Sequence, residues 1–99
     1  MIGVVAIITA KPGRRDELLS FFREIIPTVR AEQGCIEYTP VIDAESSPSE
    51  MGSDVYVVIE AWESLEALKA HSRAPHMAGF GAKAKDLIAK RAIHYLSPA

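Results

Sequence analysis

The chain has 99 residues, of which 48% are hydrophobic and 24% charged; this suits one domain over residues 1–99 and excludes a disordered chain. Its formal net charge of −2 argues against a nucleic-acid partner, because phosphate binding rests on clustered Lys and Arg. No apolar run approaches the ~20 residues a membrane span needs, and the single cysteine, Cys35, has no internal disulfide partner, which suits a reducing, cytoplasmic setting.

Ile2 to Ala10 reads as a first strand and not as a signal peptide: Val, Ile and Thr dominate, no basic leader precedes it, and the turn signal Lys11-Pro12-Gly13 follows. From Arg14 onward the period changes, with Leu18, Leu19, Phe22, Ile25, Ile26 and Val29 at helical spacing. Asp16 and Glu17 suit the positive end of that helix. Pro27 is expected to kink it and Gly34 to stop it. A second strand runs from Cys35 to Ile42. The polar stretch Asp43 to Ser53 is then a loop, longer than the usual ~4–6 residues.

Val55 to Trp62 is the third strand. Ser64 is a good N-cap for a second helix carrying Leu65, Ala67 and Leu68, which Ala74-Pro75 interrupts. Pro75 suits the first turn of a further helical piece with Met77, Phe80, Ala84 and Leu87. Ile88 to Leu96 closes the order as a fourth strand, although Lys90 and Arg91 are unusual in one. Strand, helix, strand, strand, helix, strand is the split βαβ, ferredoxin-like α+β arrangement, an antiparallel sheet with helices on one face.

Such a sheet should alternate apolar and polar if its second face meets water. The first strand places Val4, Ala6 and Ile8 on one face but Val5 and Ile7 on the other; the third sets Val55, Val57, Ile59 and Ala61 against Tyr56, Val58, Glu60 and Trp62. Helices cover one face only, so a second copy of the chain is expected over the other, as an isologous dimer with sheet packed on sheet.

The residues able to carry chemistry are few. His71 and His76 bracket Ser72-Arg73-Ala74-Pro75; they suit acid/base work, or else bind backbone at the helix break. As metal ligands they would need a third partner that no motif supplies, so no metal is expected. Trp62 shares a strand face with Tyr56 and Glu60, and a carboxylate beside aromatics marks either a polar-lined cavity or a paired, buried Glu. Cys35 lacks any activating motif and reads as a small packed side chain. The arginines at 14, 15, 23 and 30 read as a solvated helix face, and His94 carries no role.

The segments Ile26-Pro27-Thr28-Val29, Glu32-Gln33-Gly34-Cys35 with Tyr38, Val58 to Ser64, Ala70-His71 and Ala74-Pro75-His76-Met77 together resemble the antibiotic-biosynthesis monooxygenase family, and within it the bacterial quinol monooxygenases. The resemblance runs over essentially the whole chain. It implies a dimeric α+β barrel with a pocket between sheet and helices, and oxidation of a quinol or related phenol by O₂ with no flavin, haem or metal. It also implies that His71 and His76 are catalytic and that Trp62 is a pocket wall or orienting donor; Tyr38, Tyr56 and Glu60 are expected as further substrate contacts. The asparagine and arginine of the polyketide-tailoring branch are not matched, Val58 and Ala82 lying near where they would fall. The segment Gly79-Phe80-Gly81-Ala82 lacks the histidine of the haem-degrading branch. A cofactor-free isomerase, or a stress protein that sequesters a quinone, are alternatives on the same fold.

Overall fold

Alternation along the first strand decides which way the sheet faces. In a computed structural model describing all 99 residues, β1 (Ile2–Ala10) buries Val4, Ala6, Ile8 and Ala10 on one side and leaves Val5, Ile7 and Thr9 half-buried on the other. The remaining elements are α1 (Arg15–Arg30), β2 (Cys35–Val41), β3 (Val55–Trp62), α2 (Leu65–Ser72), α3 (Pro75–Ala84) and β4 (Ile88–Leu96). The four strands form one antiparallel sheet in the order β2-β3-β1-β4, the ferredoxin-like topology. Ile2 pairs with Trp62, Ile8 with Tyr56 and Val4 with Tyr95, so Tyr56, Val58, Glu60, Trp62, Arg91, Ile93 and Tyr95 all share the face of Val4 and Ile8.

Helix α1 lays Leu18, Leu19, Phe22, Ile26 and Val29 on that face, against Val4, Ile8, Tyr38, Tyr56, Val58 and Trp62. Each large side chain buried there stabilises the fold by about 1.5–3 kcal/mol before conformational entropy is subtracted. The helix passes through Pro27 and ends at Arg30, not at Gly34. Pro27 and Arg23 both lie on the exposed side, so the carbonyl that the proline leaves without a partner is one that water can reach. β2 likewise stops at Val41, one residue short of Ile42. The loop beyond it is closed at its base by Asp43, whose carboxylate accepts from the backbone of Met51 and Gly52; those bonds hold the carboxyl below its usual range.

Ser64 caps α2 by accepting from the backbone of Ala67 at 3.1 Å. Ala74 is extended, Pro75 opens α3, and the resulting bend sends α3 across α1, where Phe80 meets Phe22 edge-on with ring centroids 5.6 Å apart. A parting between the sheet and the bent α2–α3 pair is left on the β4 side.

Gly34 matters for a different reason from the predicted one. Its φ is +85°, and a Cβ there would lie 2.6 Å from the Cβ of Ala67 in α2. Its carbonyl accepts from the backbone of Glu63 at 2.8 Å. The turn after α1 is thus pressed against the start of α2, which brings residues 31–34 close to that helix. Gly34→Ala should destabilise the fold by about 2–4 kcal/mol through left-handed strain and overpacking together. Gly13 has a similar φ of +75° but nothing within 4 Å of a built Cβ. Gly13→Ala should therefore lose only the backbone part, about 1–2 kcal/mol. Urea unfolding of the two variants measures the difference.

Candidate active site

Beneath the bend lies a cavity of about 700 Å³, within the range of small-molecule sites. Its floor is Val4, Ala6 and Ile8 of β1 with Tyr56, Val58 and Glu60 of β3, and Tyr38 of β2 adds to one side. Its roof is Leu68 and His71 of α2, the bend itself, and Met77 and Phe80 of α3. Arg91, Ile93 and Tyr95 of β4 border it at an open side, where Ile93 and Tyr95 are about half exposed. The lining is mostly hydrocarbon.

A buried carboxyl and a buried imidazole face this apolar space beside the phenols of Tyr38 and Tyr56. Glu60 is 8% exposed and His71 5%. Trp62 donates its Nε1–H to Oε1 of Glu60 at 3.0 Å. Burial pushes the Glu60 carboxyl above its ordinary range; the Trp62 hydrogen bond and the nearby His71 pull it back in part, and Glu32 adds to the rise. Burial also pushes the phenols of Tyr38 and Tyr56 far above their ordinary range, helped at Tyr38 by the charge of Glu60, so both stay neutral donors.

His71 is wedged between aromatic rings, its centroid 4.7 Å from Trp62 and 5.4 Å from Tyr38. Its Nδ1 lies 2.8 Å from Oε2 of Glu32, and Nε2 of His76 lies 2.9 Å from the same oxygen. An ionised carboxylate only accepts, so His71 donates Nδ1–H to it, which leaves Nε2 as the second ring nitrogen. That second nitrogen has no protein partner, and His71 lines the cavity. Orientation of the imidazole by a carboxylate is the arrangement that prepares a histidine to accept a proton.

Tyr38, Tyr56, Glu60 and His71 thus come together around one cavity. Trp62 is wholly buried and does not line the cavity; it stands behind, in contact with both Glu60 and His71. His76 does not line it either, and reaches His71 only through Glu32. Sequence reasoning missed Glu32 as a partner, together with Arg73, Arg91, Ile93 and Tyr95 as cavity residues. His94 pairs opposite Val5 on the outer face, away from the site. Burial, then the charges of Glu32 and Glu60, push the Cys35 thiol up, which disfavours its thiolate.

Glu32 is also the third partner that a metal bound to His71 and His76 would require, and the three donor atoms lie within 4.8 Å of one another. A tetrahedral ion holds N and O donors about 2.0–2.2 Å away, which spaces them by roughly 3.3 Å from each other. Here two contacts are hydrogen-bond lengths to one shared oxygen, and the same three donor atoms are a set that could also hold a metal ion.

The raised Glu60 carboxyl fixes a sign. The folded state holds that proton more tightly than the unfolded chain, so its contribution is present below about pH 4.5 and is lost as pH rises through the higher folded value. Glu60→Gln should remove this loss, and its melting temperature should gain on that of the parent protein as pH is raised from 4 to 8. Thermal unfolding of both proteins across that range checks it.

Residues 1–83 match the family described as antibiotic biosynthesis monooxygenase. The chain is 37% identical to the Escherichia coli K12 protein described as "Probable quinol monooxygenase YgiN", with 99% of this chain and 98% of that one covered. Its fold is shared with PA3566 from Pseudomonas aeruginosa (28% identity, TM-score 0.85, covering 99% and 93% of the two chains). It is shared equally with Rv0793 from Mycobacterium tuberculosis (26% identity, TM-score 0.83, covering 99% and 94%). The family match across most of the chain and the near full-length relative agree with the apolar, histidine-bearing cavity: this chain belongs to the antibiotic biosynthesis monooxygenase family.

Proposed function

We propose that the protein is a monooxygenase that oxidises a quinol, or a closely related phenolic aromatic, with O₂ and without a bound cofactor. The observation that carries this reading is His71: an imidazole held by Glu32 through Nδ1 that lines an apolar cavity of about 700 Å³. The family membership and the likeness to the Escherichia coli protein support the reaction class.

The reaction balances without outside reductant. A quinol and O₂ give a hydroxyquinone and water; the quinol loses two electrons in becoming a quinone and two more in converting C–H to C–OH. His71 takes the phenolic proton at Nε2, and the electron pair left on oxygen makes the ring a far better reductant. The ring passes an electron to O₂, the two radicals join through a new C–O bond, and water leaves from the resulting peroxide. The protein's part is to remove the proton, hold the ring and keep water out. The neutral phenols of Tyr38 and Tyr56 line the cavity with Glu60 and are placed to donate hydrogen bonds to ring oxygens or to the peroxide. Trp62 fixes Glu60 and backs His71 from behind.

The working form in this reading is a homodimer. Val5, Ile7 and Ile59 are half-buried on the sheet face that no helix covers, and Val57 lies at its centre. A second copy would cover that face and cut off solvent there. Sedimentation at micromolar concentration should give twice the 10.8 kDa chain mass, and Val57→Lys should dissociate or unfold the protein by burying an unpaired charge. A folded 10.8 kDa species from the unaltered chain would contradict the dimer.

Oxygen uptake with menadiol, corrected for spontaneous oxidation, tests the activity. Quinone binding with no enzyme-dependent uptake would instead mark a sequestering protein, and conversion of a keto or hydroxy compound without O₂ an isomerase. His71→Ala should lower turnover by ~10²–10⁴ and leave the dimer folded, with the loss shrinking at high pH where the quinol ionises unaided. Steady-state kinetics over pH, with a melting curve for each variant, separates this from a structural role.

A further inference from the structure

Charge is spread unevenly along this chain. Residues 73–96, which supply the bend, α3 and β4, hold Arg73, Lys83, Lys85, Lys90 and Arg91 against Asp86 alone, whereas the whole chain has 11 Lys and Arg against 13 acids. Two of those five cations, Arg73 in the bend and Arg91 on β4, line the cavity. Both are exposed, and neither has an acidic partner within the chain. The register of the sheet gives the cavity two ends. Val4 pairs with Glu60 and Tyr95, and Ile8 with Tyr56 and Arg91, so the Arg91 row stands four residues from the Glu60 row, roughly 13 Å along the strands. His71 belongs to the Glu60 end: its ring packs on Trp62 and Tyr38, and Tyr38 pairs with Glu60. Glu60 is also the one carboxylate in the lining. The buried imidazole and carboxyl therefore sit at one end of an apolar floor, and an unpaired guanidinium stands at the other.

We propose that Arg91, joined by Arg73 from the roof, is an anion-binding rim, and that the substrate is an aromatic acid: a quinol or phenol with a carboxylate on the end of its ring system remote from the reacting oxygen. The proposal deepens the reading of the cavity as a phenol site and rests on it. A guanidinium offers a carboxylate two parallel N–H donors, and it stays charged at every pH the protein meets. At the open side the carboxylate keeps part of its water, so binding there costs little desolvation. Turned end for end, the same ligand would carry its charge in beside the buried Glu60 and Tyr38, where burial penalises it. The rim thus selects for the anion and sets the orientation, with the hydroxyl toward His71. A neutral quinol such as menadiol enters the same cavity without this contact.

The test compares two stable phenols of one shape, 6-hydroxy-2-naphthoate and 6-methyl-2-naphthol, which differ only in carrying a carboxylate or a methyl group at the far end. Calorimetric titration at low ionic strength should show the parent protein binding the carboxylate about 5-fold or more tightly than the methyl compound. The double variant Arg73→Gln, Arg91→Gln should lose that preference and keep its affinity for the methyl compound. Lys85→Gln with Lys90→Gln removes two charges from the same segment without touching the cavity lining, and should keep the preference. Should the double arginine variant fail to fold, Arg91→Gln alone decides. Equal binding of the two phenols by the parent overturns the proposal. So does a preference that survives loss of both arginines, or one that the lysine pair abolishes equally, since net charge alone would then account for it. Absence of oxygen uptake with menadiol would remove the quinol reading, while the binding ratio would still decide the anion site.

Discussion

Two ionisable side chains, Glu60 and His71, are buried in a layer that otherwise holds hydrocarbon, and each is kept there by a specific partner. An unpaired charge in such a place would be expelled or neutralised, because the interior cannot solvate it as water does. His71 is satisfied by Glu32 and Glu60 by Trp62. Those two contacts determine much of the local architecture. The turn after α1 must carry Glu32 up to α2, which is why Gly34, in a left-handed conformation, sits where no side chain would fit against Ala67. The helical cover must bend at Ala74-Pro75, so that His71 and His76 approach one carboxylate oxygen from two different helices.

The same arrangement separates roles along a line from cavity to surface. On the inside, burial raises the carboxyl of Glu60 above its ordinary range and keeps the phenols of Tyr38 and Tyr56 neutral. His71 lines the same cavity beside them. Behind it, Trp62 and Glu32 fix the ring's position and tautomer, and on the outside His76 meets water. Under the proposed reaction, whose electrons all come from the substrate, catalysis would need little more than one base, a dry pocket and donors for oxygen.

Most of the framework is legible in the sequence, because local rules and tertiary packing agree. β-branched alternation sets β1 and β3, Ser64 and Pro75 mark two helix starts, and the shared face of Tyr56, Glu60 and Trp62 follows from strand geometry. What is not legible depends on distance along the chain or on depth. Glu32 meets His71 across 39 residues and sits in a turn, where no periodicity reports which way a side chain points. Trp62 is on the expected face but behind the cavity, a matter of depth that alternation does not encode. The β4 residues Arg91, Ile93 and Tyr95 border the cavity, yet the strand lies at the sheet edge and is exposed on both faces, so its sequence carries no contrast. Gly34 shows the limit of reading breakers locally: α1 ends at Arg30, and the glycine answers to close packing against another helix.

The central claim is that His71 presents a free, oriented nitrogen to the reacting oxygen of an aromatic substrate. A crystal structure with menadione, the oxidised and unreactive counterpart of the test quinol, examines it most directly. The account predicts the naphthoquinone ring in the cavity between the sheet and the α2–α3 bend, with one ring oxygen about 2.6–3.2 Å from Nε2 of His71 and the Glu32 contact to Nδ1 intact. A ring bound elsewhere, or one seated in the cavity with both oxygens turned away from His71, would contradict it.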